Sequence, residues 1–117
     1  MPRNILVVED SFEINALLLR VLSGAGFEVR GASSNLEAME ALRTFEPDLV
    51  ITDCFLGGAG PLFVPVIREF RKRVPILVLS GDPIKAKRLL PDADEVVGKP
   101  VALQELIQKV VDLLDSL

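Results

Sequence analysis

Short apolar runs alternate with amphipathic stretches along the whole chain. Ile5-Leu6-Val7-Val8, Leu49-Val50-Ile51-Thr52 and Ile76-Leu77-Val78-Leu79 are nearly unbroken, as strands buried on both faces of a parallel sheet must be. With Val96-Val97 and the weaker stretch after Phe27, they predict strands over about Asn4–Val8, Glu28–Gly31, Asp48–Thr52, Pro75–Leu79 and Asp94–Val97. The intervening stretches carry helical spacing. Ile14, Leu17, Leu18, Val21 and Leu22 predict a helix over about Ser11–Ser23, ended by Gly24 and Gly26, with Leu19 falling between core stripes and exposed. Ser34 and Glu37 form a capping box ahead of a helix burying Ala38, Ala41, Leu42 and Phe45.

Beyond Asp53, Leu56-Gly57-Gly58-Ala59-Gly60-Pro61 reads as a flexible loop. The following helix, about Leu62–Lys72, buries Leu62, Val66, Ile67 and Phe70. Its Pro65 must lie in the first turn or kink it, because proline has no N–H to give. Asp82-Pro83 is an N-cap followed by an N1 proline, opening a short helix to about Leu90. The last helix, about Val101–Asp115, turns Leu103, Leu106, Ile107, Val110, Leu113 and Leu114 inward. Five βα units in one domain over residues 1–117 make this an α/β fold.

In an open parallel sheet the strand carboxyl ends share one edge, where ligands bind. Glu9-Asp10 follow the first strand, Asp53 the third, Ser80-Gly81 the fourth and Gly98-Lys99-Pro100 the fifth. Two acids, one acid, a hydroxyl and a lysine therefore converge on one site. Clustered carboxylates repel unless a cation sits among them, and an all-oxygen donor set suits Mg²⁺.

Composition narrows the chemistry. The chain has 117 residues, half of them apolar, enough for one domain with a real core. It lacks His, which excludes imidazole catalysis and His-ligated zinc. Its single cysteine, Cys54, permits no internal disulfide and suits a reducing compartment. A buried thiol there is read as packing. The net charge of −4 argues against direct nucleic-acid binding, which needs a basic face. The basic run Arg68, Arg71, Lys72, Arg73 reads as a solvated helix end, favourable against the helix dipole. No apolar run is long enough to span a membrane, and the N-terminus leads straight into a strand with too little room for a signal peptide. A cytoplasmic location is expected, with no membrane partner.

The ordered set Glu9-Asp10, Asp53, Ser80-Gly81 and Lys99-Pro100, each at a strand end, resembles the response-regulator receiver domain of two-component signalling over essentially the whole chain. The resemblance implies a flavodoxin-like, doubly wound five-stranded parallel sheet of order 2-1-3-4-5. It implies that Asp53 accepts a phosphoryl group from a histidine kinase or histidine phosphotransfer protein. Asp10 and Asp53 would bind Mg²⁺ directly, Glu9 through water, and the Phe55 main-chain carbonyl would be a further ligand. Ser80 would hydrogen-bond the phosphoryl oxygen and Lys99 would pair with it, passing the signal to an unknown downstream protein. Such a module is a phospho-acceptor rather than a turnover enzyme.

Three features depart from the family's usual pattern. Val96 stands where an aromatic rotor is common, the Ser80–Lys99 segment is short, and Phe55 is bulky where small or polar residues are frequent. A haloacid-dehalogenase-like phosphatase would need a second Asp at position 55. A flavodoxin would need a phosphate loop where Glu9-Asp10 stand. A pseudo-receiver interaction module that shares the fold without phosphorylation is the alternative, and intact Asp10, Asp53 and Lys99 argue against it. With the rotor position short and β-branched, the loops Phe55–Gly60 and Gly81–Asp82 are expected to carry the response to phosphorylation.

Overall fold

The computed structural model describes residues 3–54 and 63–116. Five strands alternate with five helices: β1 (Asn4–Val8), α1 (Phe12–Gly24), β2 (Glu28–Ala32), α2 (Asn35–Thr44), β3 (Leu49–Asp53), α3 (Phe63–Phe70), β4 (Ile76–Ser80), α4 (Pro83–Leu89), β5 (Glu95–Gly98) and α5 (Leu103–Asp115). The strands form one parallel sheet in the order β2-β1-β3-β4-β5, the flavodoxin-like arrangement. Each predicted element is present, with ends shifted by one or two residues.

The unbroken apolar runs are explained by burial on both sides of the sheet. Ile5, Val7, Leu49, Ile51, Leu77, Leu79 and Val97 pack against Leu18 and Leu22 of α1 and Leu106, Val110 and Leu114 of α5. Their neighbours Leu6, Val8, Val50, Ile76, Val78 and Val96 pack against Ala38, Ala41 and Leu42 of α2, Val64 and Ile67 of α3, and Ala86 of α4. The two-residue alternation of a strand thus feeds two cores, and helices cover both faces.

Local signals explain the helix ends. Ser11, Ser34 and Asp82 cap α1, α2 and α4, their side chains accepting hydrogen bonds from the N–H groups of Ile14, Glu37 and Lys85. Pro83 opens α4, where its missing N–H costs nothing. Pro65 falls in the first turn of α3. Gly26 takes a φ of 99° just beyond α1, a conformation that favours glycine.

Some expectations need correcting. Leu17, assigned to the core, is 44% exposed, whereas Leu19, assigned to solvent, packs against the α1/α5-side core. The buried residues of α1 are Asn15, Leu18 and Leu22, so the inward stripe is centred on a polar residue that a count of apolar positions passes over. The capping box is displaced as well: Glu37 accepts from the backbone N–H and hydroxyl of Ser33 rather than from the Ser34 N–H. Among the described side chains of α3, Val64 and Ile67 are buried, and Val66 and Phe70 pack partly buried against the same core; Val64 is the addition to the expected face. The Leu56–Pro61 loop and Leu62 lie outside the described residues.

The basic run at the end of α3 is only partly a solvated face. Arg68 donates to the carbonyls of Val74 and Asp92 and pairs with the Asp94 carboxylate at 2.7 Å. Arg71 donates to the Leu42 carbonyl at 2.7 Å. Lys72 and Arg73 are exposed, as expected.

Candidate phosphoryl-acceptor and cation site

Parallel topology sets the carboxyl ends of all five strands along one edge. The end of β1 carries Glu9 and Asp10, and β3, paired directly with it, ends in Asp53. One carboxylate oxygen from each of these three residues lies within 4.8 Å of the others. Lys99, just beyond β5, brings its Nζ to 3.2 Å from Asp53 Oδ1 and 3.4 Å from Glu9 Oε2. The peptide between Lys99 and Pro100 is cis, and the Lys99 N–H bonds the Ser80 carbonyl at 2.8 Å.

The acids sit in different surroundings. Glu9 is 1% exposed, Asp53 half-buried and Asp10 exposed. Burial pushes the Glu9 carboxyl above its ordinary range, and the nearby Asp53 charge adds to the push; Lys99 and a hydrogen bond from the Ser11 N–H pull the other way. A buried carboxylate among like charges is costly, and one lysine offsets only part of that cost.

Ser80 is buried at the end of β4, and its Oγ accepts the Asp82 N–H at 3.0 Å. Cys54, one register step beyond the Asp53–Leu79 pair, is also buried. Burial raises its thiol pKa, as does the Asp53 charge, and its burial agrees with the packing role expected of it. Val96 lies in the α2/α3/α4-side core, beneath the sheet edge.

The structure therefore brings Glu9, Asp10, Asp53 and Lys99 together and sets Ser80 at the end of the adjoining strand. Phe55, expected to offer its main-chain carbonyl, lies outside the described residues. Sequence reading missed Asn15, a buried polar residue on α1. Its Nδ2 donates to the carbonyls of Glu9 at 2.9 Å and Ala32 at 3.0 Å. The available signal was its place three and seven residues before Leu18 and Leu22, on the inward stripe.

Residues 5–111 match the Response regulator receiver domain family. The chain belongs to that family, the phospho-acceptor modules of two-component signalling. It is 33% identical over 116 residues to hybrid signal transduction histidine kinase D of Dictyostelium discoideum, covering 94% of this chain and 7% of that protein. It is 31% identical over 113 residues to the DNA-binding response regulator MtrA of Mycobacterium tuberculosis, covering 94% of this chain. The chain spans about half of MtrA's length. Among solved structures, response regulator TrrA of Thermotoga maritima in complex with Mg²⁺ and BeF superposes with a TM-score of 0.85 at 32% identity, covering 95% of this chain and 98% of that one. Among the described residues, no helix of this receiver is long and apolar enough to cross a membrane.

Proposed function

We propose that this receiver takes a phosphoryl group on Asp53 from a histidine kinase or histidine phosphotransfer protein, with Mg²⁺ at the acidic cluster, and passes the signal on by a conformational change. The observation that carries the reading is the position of the Asp53 carboxylate, ion-paired to Lys99 and beside the carboxylates of Glu9 and Asp10.

The residues present fit a hard divalent cation. The donors are all oxygen, they converge within 4.8 Å, and burial raises the Glu9 carboxyl, a push that a nearby cation would oppose. Asp10 and Asp53 would hold Mg²⁺ directly and Glu9 would act through water. When bound, Mg²⁺ supplies positive charge that offsets the acids and the phosphoryl oxygens.

In the transfer, an Asp53 carboxylate oxygen attacks phosphorus. A new O–P bond forms as the P–N bond of a phosphohistidine donor breaks, and the imidazole leaves with that electron pair. Lys99 pairs with a phosphoryl oxygen as charge develops there. Ser80 donates its hydroxyl hydrogen to another. Accepting the Asp82 N–H uses a lone pair of its oxygen and not that hydrogen. Water later attacks the acyl phosphate, returning Asp53 and inorganic phosphate, so the signal is transient. A kinase that draws on ATP implies a cytoplasmic setting for this exchange. The downstream partner is a protein, and the net charge of −4 supports no direct contact with nucleic acid.

Incubation with acetyl phosphate and Mg²⁺ followed by intact-mass measurement tests the assignment. One labile phosphoryl adduct is expected, lost completely in Asp53→Ala. An adduct that persists in Asp53→Ala overturns it.

A further inference from the structure

The inner stripe of α1 should be wholly apolar, yet its first buried position is Asn15, 9% exposed. An amide there is expensive unless its hydrogen bonds are made. Asn15 makes two, and both acceptors are chain carbonyls at the sheet edge rather than carbonyls of its own helix. Nδ2 donates to Glu9 at 2.9 Å and to Ala32 at 3.0 Å. The Ala32 carbonyl also accepts the Glu9 N–H at 3.0 Å. One side chain thus joins α1, the end of β1 and the end of β2 at a single point.

The Glu9 carbonyl belongs to the peptide plane that leads into Asp10. Fixing that oxygen fixes the plane, and with it the position of the Asp10 Cα from which the side chain departs. The neighbouring strand makes room for this. A Cβ at Gly31 would lie 2.6 Å from Asn15 Oδ1 and 3.0 Å from Leu19 Cδ1, so β2 lacks a side chain at the point where the amide enters.

We infer that Asn15, admitted by Gly31, is a positioning residue for the cation site: it holds the Glu9–Asp10 peptide so that the two carboxylates face Asp53. This rests on the Mg²⁺ reading above. An apolar residue would satisfy packing against Leu18 and Leu22. The amide is explained by what it does to the β1 end.

The test is Mg²⁺ affinity, followed by amide resonances at a temperature where every variant is fully folded, with a thermal melt run alongside. Asn15→Ala is expected to weaken Mg²⁺ binding about tenfold or more, in the range typical of groups that orient a metal ligand from behind. The Asp10 amide resonance should already be displaced before metal is added. Gly31→Ala should produce the same loss by pushing the amide aside. In Asn15→Ala/Gly31→Ala the two losses should not add, because both act through one side chain. Unchanged affinity in Asn15→Ala, with only a lower melting temperature, would overturn the inference and leave the site reading standing. Additive losses would overturn the role given to Gly31. Absence of Mg²⁺ binding by the unaltered protein would overturn the site reading, and the inference with it.

Discussion

At the end of β1 the chain gathers like charges around a buried carboxylate, whereas at the end of β4 it anchors a single hydroxyl by a hydrogen bond. Lys99 reaches the carboxylates of Glu9 and Asp53, and Asp10 stands in the same cluster. Ser80 is buried with its Oγ bonded to the Asp82 N–H. The first region stores unfavourable electrostatic energy that a cation or proton would release. The second engages a lone pair of the hydroxyl oxygen, which keeps its own hydrogen to serve a phosphoryl group. Binding and response are therefore separable, and each can be perturbed alone.

The largest expected effect is from Mg²⁺. At a hundredfold excess over its Kd it should stabilise the neutral-pH fold by about 2.7 kcal/mol, because it binds the folded cluster and not the unfolded chain. Asp53→Asn should stabilise the metal-free protein and lose most of this response. Thermal melts with and without metal check both, and a destabilised Asn variant with an intact metal response would contradict a shared site.

Lys99→Ala should come next. It leaves buried Glu9 without its cation and should cost about 1–2 kcal/mol in the metal-free state, reduced from a fully buried pair because Lys99 is a quarter exposed. The same variant should bind Mg²⁺ more tightly, since a competing positive charge is gone. Titration of both forms would reveal the opposite signs. If stability and affinity fell together, Lys99 would be acting through packing.

A smaller effect concerns pH. The Glu9 carboxyl takes up its proton at higher pH in the fold than in the unfolded chain. Its contribution to metal-free stability is therefore fully present below the ordinary glutamate value of 4.5 and is lost as pH rises through the raised value. Glu9→Gln should remove that slope, gaining on the unaltered protein as the solution is brought from acid to neutral. Denaturant unfolding across that range measures the difference, and parallel curves would refute it.

The least effect belongs to the satisfied side. Ser80→Ala removes the acceptor of the Asp82 N–H and should cost about 1 kcal/mol, with faster amide exchange at Asp82. Mg²⁺ affinity should stay as it was. A large fall in metal affinity would mean that the two regions are not separable.

The contrast also marks what could be read from the chain. The strands, the caps at Ser34 and Asp82, and the gathering of Glu9, Asp10, Asp53 and Lys99 were legible. Each follows from local pattern or from the rule that parallel strands end on one edge. Asn15 was not, because periodicity counts apolar side chains and a satisfied amide on the same stripe is silent. Leu17 and Leu19 exchanged places for the same reason: the stripe was centred on leucines rather than on Asn15. Arg68 was taken for a solvated charge because its acceptors, Val74, Asp92 and Asp94, become its neighbours only when β4 and β5 pair. The response expected of the Phe55–Gly60 loop falls outside the described residues.

Arg68 has a mechanical consequence. It sits in the last turn of α3 and grips the strand entering β4 and the turn entering β5 at once. A rod clamped at one end is a cantilever. The trailing end of α3 is fixed to the sheet, and its leading end lies toward the edge where Asp53 stands. Displacing that trailing end would therefore have to break its ties to the lead-ins of β4 and β5 together.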